Sequence, residues 1–327
     1  MRELRIQRED WPVRGVFSIS RGSRTGIEVV VAEVVEGGCG GRGECHPYAR
    51  YGETAAGVEE TLIGLKDRVA AGLDCAELQE ILPPGAARNA LDCALWDFRA
   101  KKEGTPAWRL AGIANPPRPA LCALTISVDR PERMAEKARE HSGQALLKVK
   151  LAGEGDVERM RAVREAAPDA RLIIDANEAW TETHYREYAQ EMAAMGVEMI
   201  EQPLPAGRDR VLRELARPAA LMADESCHDR SSLPLLEGRY DVVNIKLDKT
   251  GGLTEAILLA EAAREKGFRI MIGSMLGTSL AMAPAMLLSG FAEFVDLDGP
   301  LLLAKDRENP LRFENSHIHP PDPALWG

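Results

Sequence analysis

No stretch of the 327-residue chain stays apolar for the ~18 residues that a membrane-spanning helix needs. The opening residues, "MRELRIQREDW", are charged and hold no apolar segment of the kind a secretory signal carries, so a cytoplasmic protein is expected. Basic residues are in deficit as well: 41 Lys and Arg stand against 51 Asp and Glu, for a net charge of −10. This balance argues against a nucleic-acid or anionic-membrane partner, since both require a basic face. The cysteines, at positions 39, 45, 75, 93, 122 and 227, form no C-x-x-C pair and no close metal spacing. They read as scattered free thiols of a reducing compartment. A Gly-rich dinucleotide fingerprint is missing too. No His-x-Asp or Ser-His-Asp arrangement stands out, and His317 and His319 in the tail read as structural or exposed.

What is there is a globular composition, 45% hydrophobic and 28% charged, at a length that usually divides into two domains. From about residue 120 a unit repeats: a short apolar run ends in polar residues and a helical stretch follows. The runs are "LCALTISV", "ALLKVKL", "RLIIDAN", "VEMIEQP", "AALMADES", "VVNIKLD", "FRIMIGS" and "EFVDLDG". Segments such as "DVERMRAVREAA" and "LTEAILLAEAAREKG" between them are apolar at helical spacing. Eight strands with seven intervening helices predict consecutive βα units, parallel strands, and an α/β barrel with its site at the C-terminal strand ends. Residues 1–115 lack this rhythm. "TGIEVVVAEVVEGGCGGRGECHP" reads as strand, Gly-rich turn and strand. "GVEETLIGLKDRVAAG" and "ARNALDCALWDFRAKKEG" read as helices, the second closed by Gly104 and Pro106. An α+β domain is expected over 1–115, bounded by "GIANPPRPA", then the barrel over 116–300. The segment 301–327 is expected to pack back on the first domain.

In "ALLKVKLAG", Lys148 and Lys150 stand two apart in an apolar strand, so both ammonium groups face one side. Like charges there are costly unless something negative faces them. The strand ends supply it. Lys150, Asp175, Glu201, Asp224 and Lys246 follow at intervals of 25, 26, 23 and 22 residues, each about one βα unit. Taken singly, each acid reads as a helix cap or an ion pair. In phase, the three form adjacent carboxylates flanked by a lysine on either hand. All-oxygen ligation without His or Cys suits Mg²⁺.

Two lysines across such a site suit proton abstraction beside a carboxylate. The enediolate that forms is doubly negative and becomes accessible only near cations. One lysine must be neutral to act as base, and Lys148 and a metal both push Lys150 in that direction. A base on one face and an acid on the other invert a stereocentre.

"KVK", "DANEAW", "EQPLP", "ADES" and "NIKLDKTGG" together resemble the enolase superfamily, in its muconate-lactonizing subgroup. The resemblance runs along nearly the whole chain and includes "GAARNALDCALWD". It implies an α+β capping domain joined to a modified TIM barrel, (β/α)7β. By that resemblance Asp175, Glu201 and Asp224 are Mg²⁺ ligands, and Lys150 and Lys246 are the acid/base pair. Lys148 contacts the substrate carboxylate, and Asn177 and Glu225 orient the ligands.

"FVDLDGP", with Asp296 and Asp298 on one strand face, resembles the eighth strand end of dipeptide epimerases. Two acids there receive the ammonium of a dipeptide, whereas an acylated nitrogen leaves them unpaired. "SISRGSRTG" resembles the specificity loop of the branch acting on L-Ala-D/L-Glu, where Arg21 or Arg24 takes the glutamate carboxylate. Tyr48 and Tyr51 line the same lid, and Thr125 is a further candidate contact. The partner is then a small dipeptide, with a homo-oligomer left open, and salvage of cell-wall peptides follows by resemblance. Two alternatives use the same site, an o-succinylbenzoate synthase and an N-acylamino acid racemase. A non-catalytic, metal-stabilised peptide-binding barrel is a third.

Overall fold

A computed structural model describes residues 1–327. Its first domain opens with three antiparallel strands in the order β1 (Glu3–Ile19), β2 (Gly22–Glu36) and β3 (Cys39–Cys45). The Gly-rich turn is narrower than its sequence suggested: Gly37 and Gly38 turn the chain, while Gly40, Gly41 and Gly43 lie within β3. A Cβ on Gly41 would fall 2.0 Å from Phe98 N, and one on Gly43 2.2 Å from Ala90 O. These glycines let the strand backbone lie directly on a helix backbone.

The expected "GVEETLIGLKDRVAAG" helix is two, α1 (Ala55–Ile63) and α2 (Lys66–Ala71), parted at Gly64 and Leu65. After α3 (Cys75–Ile81) comes the long α4 (Ala86–Glu103), stopped by Gly104 in the left-handed region, and then α5 (Ala107–Leu110). Leu62, Val69, Leu78, Leu91, Leu95 and Phe98 from these helices close a separate core against β2.

Beyond β4 (Ala120–Leu121) the barrel strands run β5 (Leu124–Ile126), β6 (Leu146–Lys150), β7 (Arg171–Asp175), β8 (Val197–Glu201), β9 (Ala220–Ala223), β10 (Val242–Lys246), β11 (Arg269–Gly273) and β12 (Phe294–Asp296). They are parallel and in sequence order. The ring is completed where Ala123 N–H donates to Val295 O at 2.8 Å, beside a parallel bridge from Cys122 to Val295.

The crossovers depart from the expected seven helices. α6 (Pro131–Glu140), α7 (Asp156–Ala166) and α8 (Glu182–Ala194) follow β5, β6 and β7. Between β8 and β9 there is only a 3-10 turn, Arg210–Arg213. Pro203, Pro205, Gly207 and Pro218 crowd that stretch, and proline neither donates a backbone hydrogen bond nor lets the preceding residue stay helical. The next crossover holds the one-turn α9 (Leu233–Leu236). After β10 come α10 (Leu247–Thr250) and α11 (Leu253–Glu265), and after β11 comes α12 (Ser279–Met286).

The tail contains α13 (Gly299–Leu302) and the short hairpin β13 (Phe313–Glu314) and β14 (His317–Ile318), which pairs with β4. Its last residues reach the capping domain. Trp326 Nε1 donates to Cys93 O at 3.1 Å, and Gly327 N–H donates to Asp97 Oδ1 at 2.7 Å. No helix is long and apolar enough to cross a membrane.

Candidate active site

Strand alternation builds the site in layers. Ala123, Leu146, Ile173, Met199, Met222, Val242, Met271 and Phe294 form an apolar plug inside the barrel. Two residues further along each strand the inward positions become Thr125, Lys148, Asp175, Glu201, Asp224, Asn244, Gly273 and Asp296. The ladder aligns them laterally: Lys150 pairs with Asp175, Asp175 with Glu201, and Gly273 with both Lys246 and Asp296. All five groups of the strand-end series are buried and meet in this one mouth.

Lys148 Nζ lies 2.6 Å from Asp296 Oδ2, 2.5 Å from Glu201 Oε2 and 3.5 Å from Asp175 Oδ2. Burial opposes its charge, but Asp296, Glu201 and Asp175 hold the ammonium well above the usual lysine range. Lys150 Nζ donates to Asp175 Oδ2 at 2.6 Å. Across the mouth, Lys246 Nζ donates to Asp224 Oδ2 at 2.7 Å. Burial opposes the Lys246 charge too, and Asp224 and Glu201 outweigh it. The two outer lysines therefore hang from different carboxylates on opposite sides of the cluster.

One carboxylate oxygen each from Asp175, Glu201 and Asp224 lies within 4.8 Å of the other two. Burial and the neighbouring Asp175 carboxylate push the Glu201 carboxyl up, the response of an acid short of positive charge. Glu201 Oε2 is buried and accepts no hydrogen bond, despite the close approach of Lys148. Its other oxygen takes a hydrogen bond from Asn244 Nδ2 at 2.8 Å, and Oε2 is ion-paired with Lys148 Nζ at 2.5 Å. Three buried carboxylates that converge this closely, with no nitrogen or sulfur ligand among them, fit a hard divalent cation. Asn177 N–H and Nδ2 donate to Asp175 at 2.8 and 3.0 Å.

Above the cluster, a cavity is lined by Lys150, Asn177, Asp224, Glu225 and Lys246 from the barrel. Phe17, Ile19, Arg21, Arg24, His46, Tyr48 and Tyr51 close it from the capping domain. The expected loop around Arg21 and Arg24 is the tip of the β1–β2 hairpin, with Ile19 and Gly22 still paired. The two arginines separate there. Arg21 reaches Glu225 Oε1 at 2.8 Å, Glu178 Oε2 at 3.2 Å, Asn177 O at 3.0 Å and Tyr48 Oη at 3.1 Å. Glu225 therefore meets the hairpin, and no hydrogen bond joins it to a triad carboxylate. Arg24 meets no carboxylate: Nη1 bonds His46 Nε2 at 3.2 Å, and its guanidinium lies 5.9 Å from the Tyr48 ring centre.

Asp298 lies two residues past the C-terminal end of β12, at the N-cap position of α13, rather than on the strand face. Its Oδ2 accepts from Thr125 N–H at 2.6 Å. Burial and the nearby Asp296 raise its carboxyl to about 7. Asp296 Oδ1 is buried without a hydrogen-bond partner. Thr125, Asp296 and Asp298 stand behind Lys148 and do not line the cavity wall.

Three residues escaped the sequence reading. Lys249, fully buried, donates to Asp224 Oδ1 and to Asp224 O, both at 2.6 Å. Gln202 Oε1 accepts from Asp224 N–H at 3.0 Å and Ser226 N–H at 3.1 Å, fixing the chain where β9 ends. His46 contacts Leu276 O through Nδ1 at 2.6 Å, so Nδ1 carries the proton and Nε2 faces Arg24 as acceptor. The spacing of "NIKLDK" offered a signal for Lys249, three residues beyond Lys246. No spacing marks Gln202 or His46.

Two family models cover the chain: "Mandelate racemase / muconate lactonizing enzyme, N-terminal domain" over residues 1–112, and "Enolase C-terminal domain-like" over 132–324. The chain belongs to the enolase superfamily. Among superfamily relatives, the L-Ala-D/L-Glu epimerase of Escherichia coli K12 is 48% identical, with 98% of this chain and 100% of the relative aligned. An N-acetyl-D-glutamate racemase from Pseudoalteromonas is 45% identical over 88% of this chain and 91% of its own length. An Agrobacterium tumefaciens enolase family member with homology to dipeptide epimerases, solved with sodium and L-Ala-L-Glu, superposes with a TM-score of 0.98 at 49% identity over the whole of both chains. The Enterococcus faecalis dipeptide epimerase, solved with Mg and L-Leu-L-Tyr, gives 0.88 at 27% identity over 98% of this chain and 97% of that one.

Proposed function

We propose that this superfamily member is a Mg²⁺-dependent isomerase, a dipeptide epimerase that inverts the α-carbon of the C-terminal residue, with L-Ala-L-Glu and L-Ala-D-Glu as its leading pair. The observation that carries the reading is the pair of lysines on opposite flanks of the carboxylate cluster, each tied to a different acid. Mg²⁺ held by Asp175, Glu201 and Asp224 supplies positive charge where the substrate carboxylate gains negative charge. Lys148 faces the same carboxylate and orients it. Lys150 and Lys246 exchange the α-proton from opposite faces: one, neutral, removes it, and the other, charged, returns a proton to the far side. Reversal of those two roles carries the reaction the other way.

At the substrate's amino end, Asp296 offers a buried oxygen that lacks a donor, and Asp298 stands beside it, held by Thr125. At the side-chain end, Arg24 is the guanidinium on the hairpin without a carboxylate, so we assign it to the glutamate side chain, while Arg21 fastens the hairpin. Tyr51 walls the same end of the cavity. A cytoplasmic place in salvage of cell-wall peptides follows from that substrate.

The Pseudoalteromonas relative makes N-acetylglutamate the natural competitor. An acetylated nitrogen gives Asp296 and Asp298 no ammonium, and leaving the buried Asp296 Oδ1 without a donor costs about 1–3 kcal/mol. The experiment is incubation with Mg²⁺ in D₂O, with L-Ala-L-Glu and N-acetyl-L-glutamate run in parallel. Deuterium at the glutamate α-position of the dipeptide, with inversion and at the higher kcat/KM, is expected. Faster turnover of the N-acetyl compound would transfer the assignment to the racemases, and no deuterium in either would end it.

A further inference from the structure

The segment after Lys246 is shaped by the other domain. From α4, Asn89 Nδ2 donates to Asp248 Oδ1 at 2.7 Å, and His46 N–H donates to the same oxygen at 3.2 Å. Arg88 donates through Nη2 to Thr250 O at 2.7 Å and through Nε to Gly251 O at 3.1 Å. Asp92 accepts from Thr254 N–H at 2.9 Å and Thr254 Oγ1 at 2.6 Å. The fit leaves no slack: Gly252 has φ 111°, and a Cβ there would fall 2.5 Å from Asp92 Oδ2. The two motifs "ARNALD" and "LDKTGGLT" are thus two halves of one buried joint between the domains.

Within the joint, Lys249 turns back into the barrel. Its ammonium binds Asp224 at both Oδ1 and the main-chain oxygen, and Asn244 O at 3.0 Å. Asp224 Oδ2 remains for Lys246. The opposite lysine does not depend on this joint: on its side the capping domain reaches Asn177 O, bonded by Ser20 Oγ at 2.9 Å and Arg21 Nη1 at 3.0 Å. Past Lys150, Leu151 N–H bonds Asp175 O at 2.9 Å, and Ala152 and Gly153 N–H bond the Asp156 carboxylate at 3.0 and 2.7 Å, all within the barrel.

We infer that Arg88, Asn89 and Asp92 of the capping domain are positioning residues for Lys246: they set the segment that carries Lys249, and Lys249 sets Asp224, the carboxylate from which Lys246 hangs. None of the three lines the cavity or belongs to the carboxylate cluster. The inference rests on the two-lysine reading above and gives it an asymmetry. Loosening the joint should impair one face of the α-carbon and spare the other.

The test follows α-deuterium exchange and inversion in D₂O with Mg²⁺, starting separately from L-Ala-L-Glu and L-Ala-D-Glu, for wild type, Lys246→Ala and Asn89→Leu. From the epimer that Lys246→Ala still exchanges, Asn89→Leu should keep exchange near the wild-type rate while inversion falls about tenfold or more, the scale of a displaced catalytic group. From the other epimer, exchange and inversion should fall together. Equal losses from both epimers, or wild-type rates for both, would overturn the inference. Absence of α-deuterium in the wild type would instead reject the epimerase reading. Should thermal unfolding show that Asn89→Leu does not fold, Asp92→Asn carries the same comparison with the same two outcomes.

Discussion

The barrel and the capping hairpin hold their charges by different means. In the barrel, Lys150, Asp175 and Glu201 stand side by side because adjacent parallel strands pair in register, and each is buried. On the hairpin, Arg21 and Arg24 sit three residues apart around a turn, half-exposed, and reach the mouth on long side chains. Moving a barrel group means moving a strand, and every ladder bond resists that. Moving a hairpin group requires only another residue at the tip. The chemistry is therefore built on the stiff part of the molecule and the choice of substrate on the adaptable part.

The contrast breaks first at the lysines. Lys150→Ala or Lys246→Ala should lower epimerisation by about 10²–10⁴-fold, the usual weight of a positioned acid or base, with the far-UV circular dichroism unchanged. Full turnover in either variant would remove the two-base assignment. Chelation should have a comparable effect, reversed by added Mg²⁺, and persistence of activity in excess EDTA would count against a metal at the triad.

Arg24→Met should cut kcat/KM for L-Ala-L-Glu by about 10- to 100-fold, the worth of a charged hydrogen bond, and leave L-Ala-L-Leu nearly unaffected. Parallel losses on both dipeptides would place the glutamate carboxylate elsewhere.

His46 sharpens the comparison through pH. Burial, aided by the Arg24 charge and opposed by the hydrogen bond to Leu276 O, lowers its imidazole to about 4, so the folded state keeps it neutral while the unfolded chain protonates near 6.5. The folded pKa is the depressed one, so stability is complete above about 6.5 and drains as pH falls toward 4, by about 2–3 kcal/mol at the lower end. Urea midpoints at pH 7.5 and 4.5 should drop further in wild type than in His46→Asn, and identical drops would refute the account. Smallest is Arg21→Met, expected to slow both dipeptides about three- to tenfold and equally, as befits a fastening ion pair; a loss confined to the glutamate substrate would exchange the two arginines' roles.

The barrel was legible because its period shows in the chain: one charged residue per βα unit falls at the ends of five successive strands, β6 to β10, and inward positions recur every second residue. Lys148, Asp175, Glu201 and Asp224 needed nothing else. The crossover before β9 misled, since "RVLRELA" has helical spacing but is hemmed by prolines too near to leave more than a 3-10 turn. Lys249 was hidden because a lysine after a strand ordinarily reaches water, and only the packing of α4 on its loop turns it inward. Asp298 was placed on a strand that ends two residues earlier, at Asp296. Arg21 and Arg24 have the same local sequence surroundings, so what separates them, Glu225 for one and His46 for the other, comes from residues far along the chain or across the hairpin.

The barrel's ring is weakest where its last stave meets its first. There Cys122 bridges to Val295, Ala123 N–H reaches Val295 O, and Thr125 N–H is taken by the Asp298 carboxylate instead of a neighbouring carbonyl. A side chain thus does the work of a ladder bond beside the acids assigned to the dipeptide's amino end. Descendants of this protein that trade Asp298 for a neutral residue, to admit a different amino-terminal group, would have to mend the wall at the same stroke.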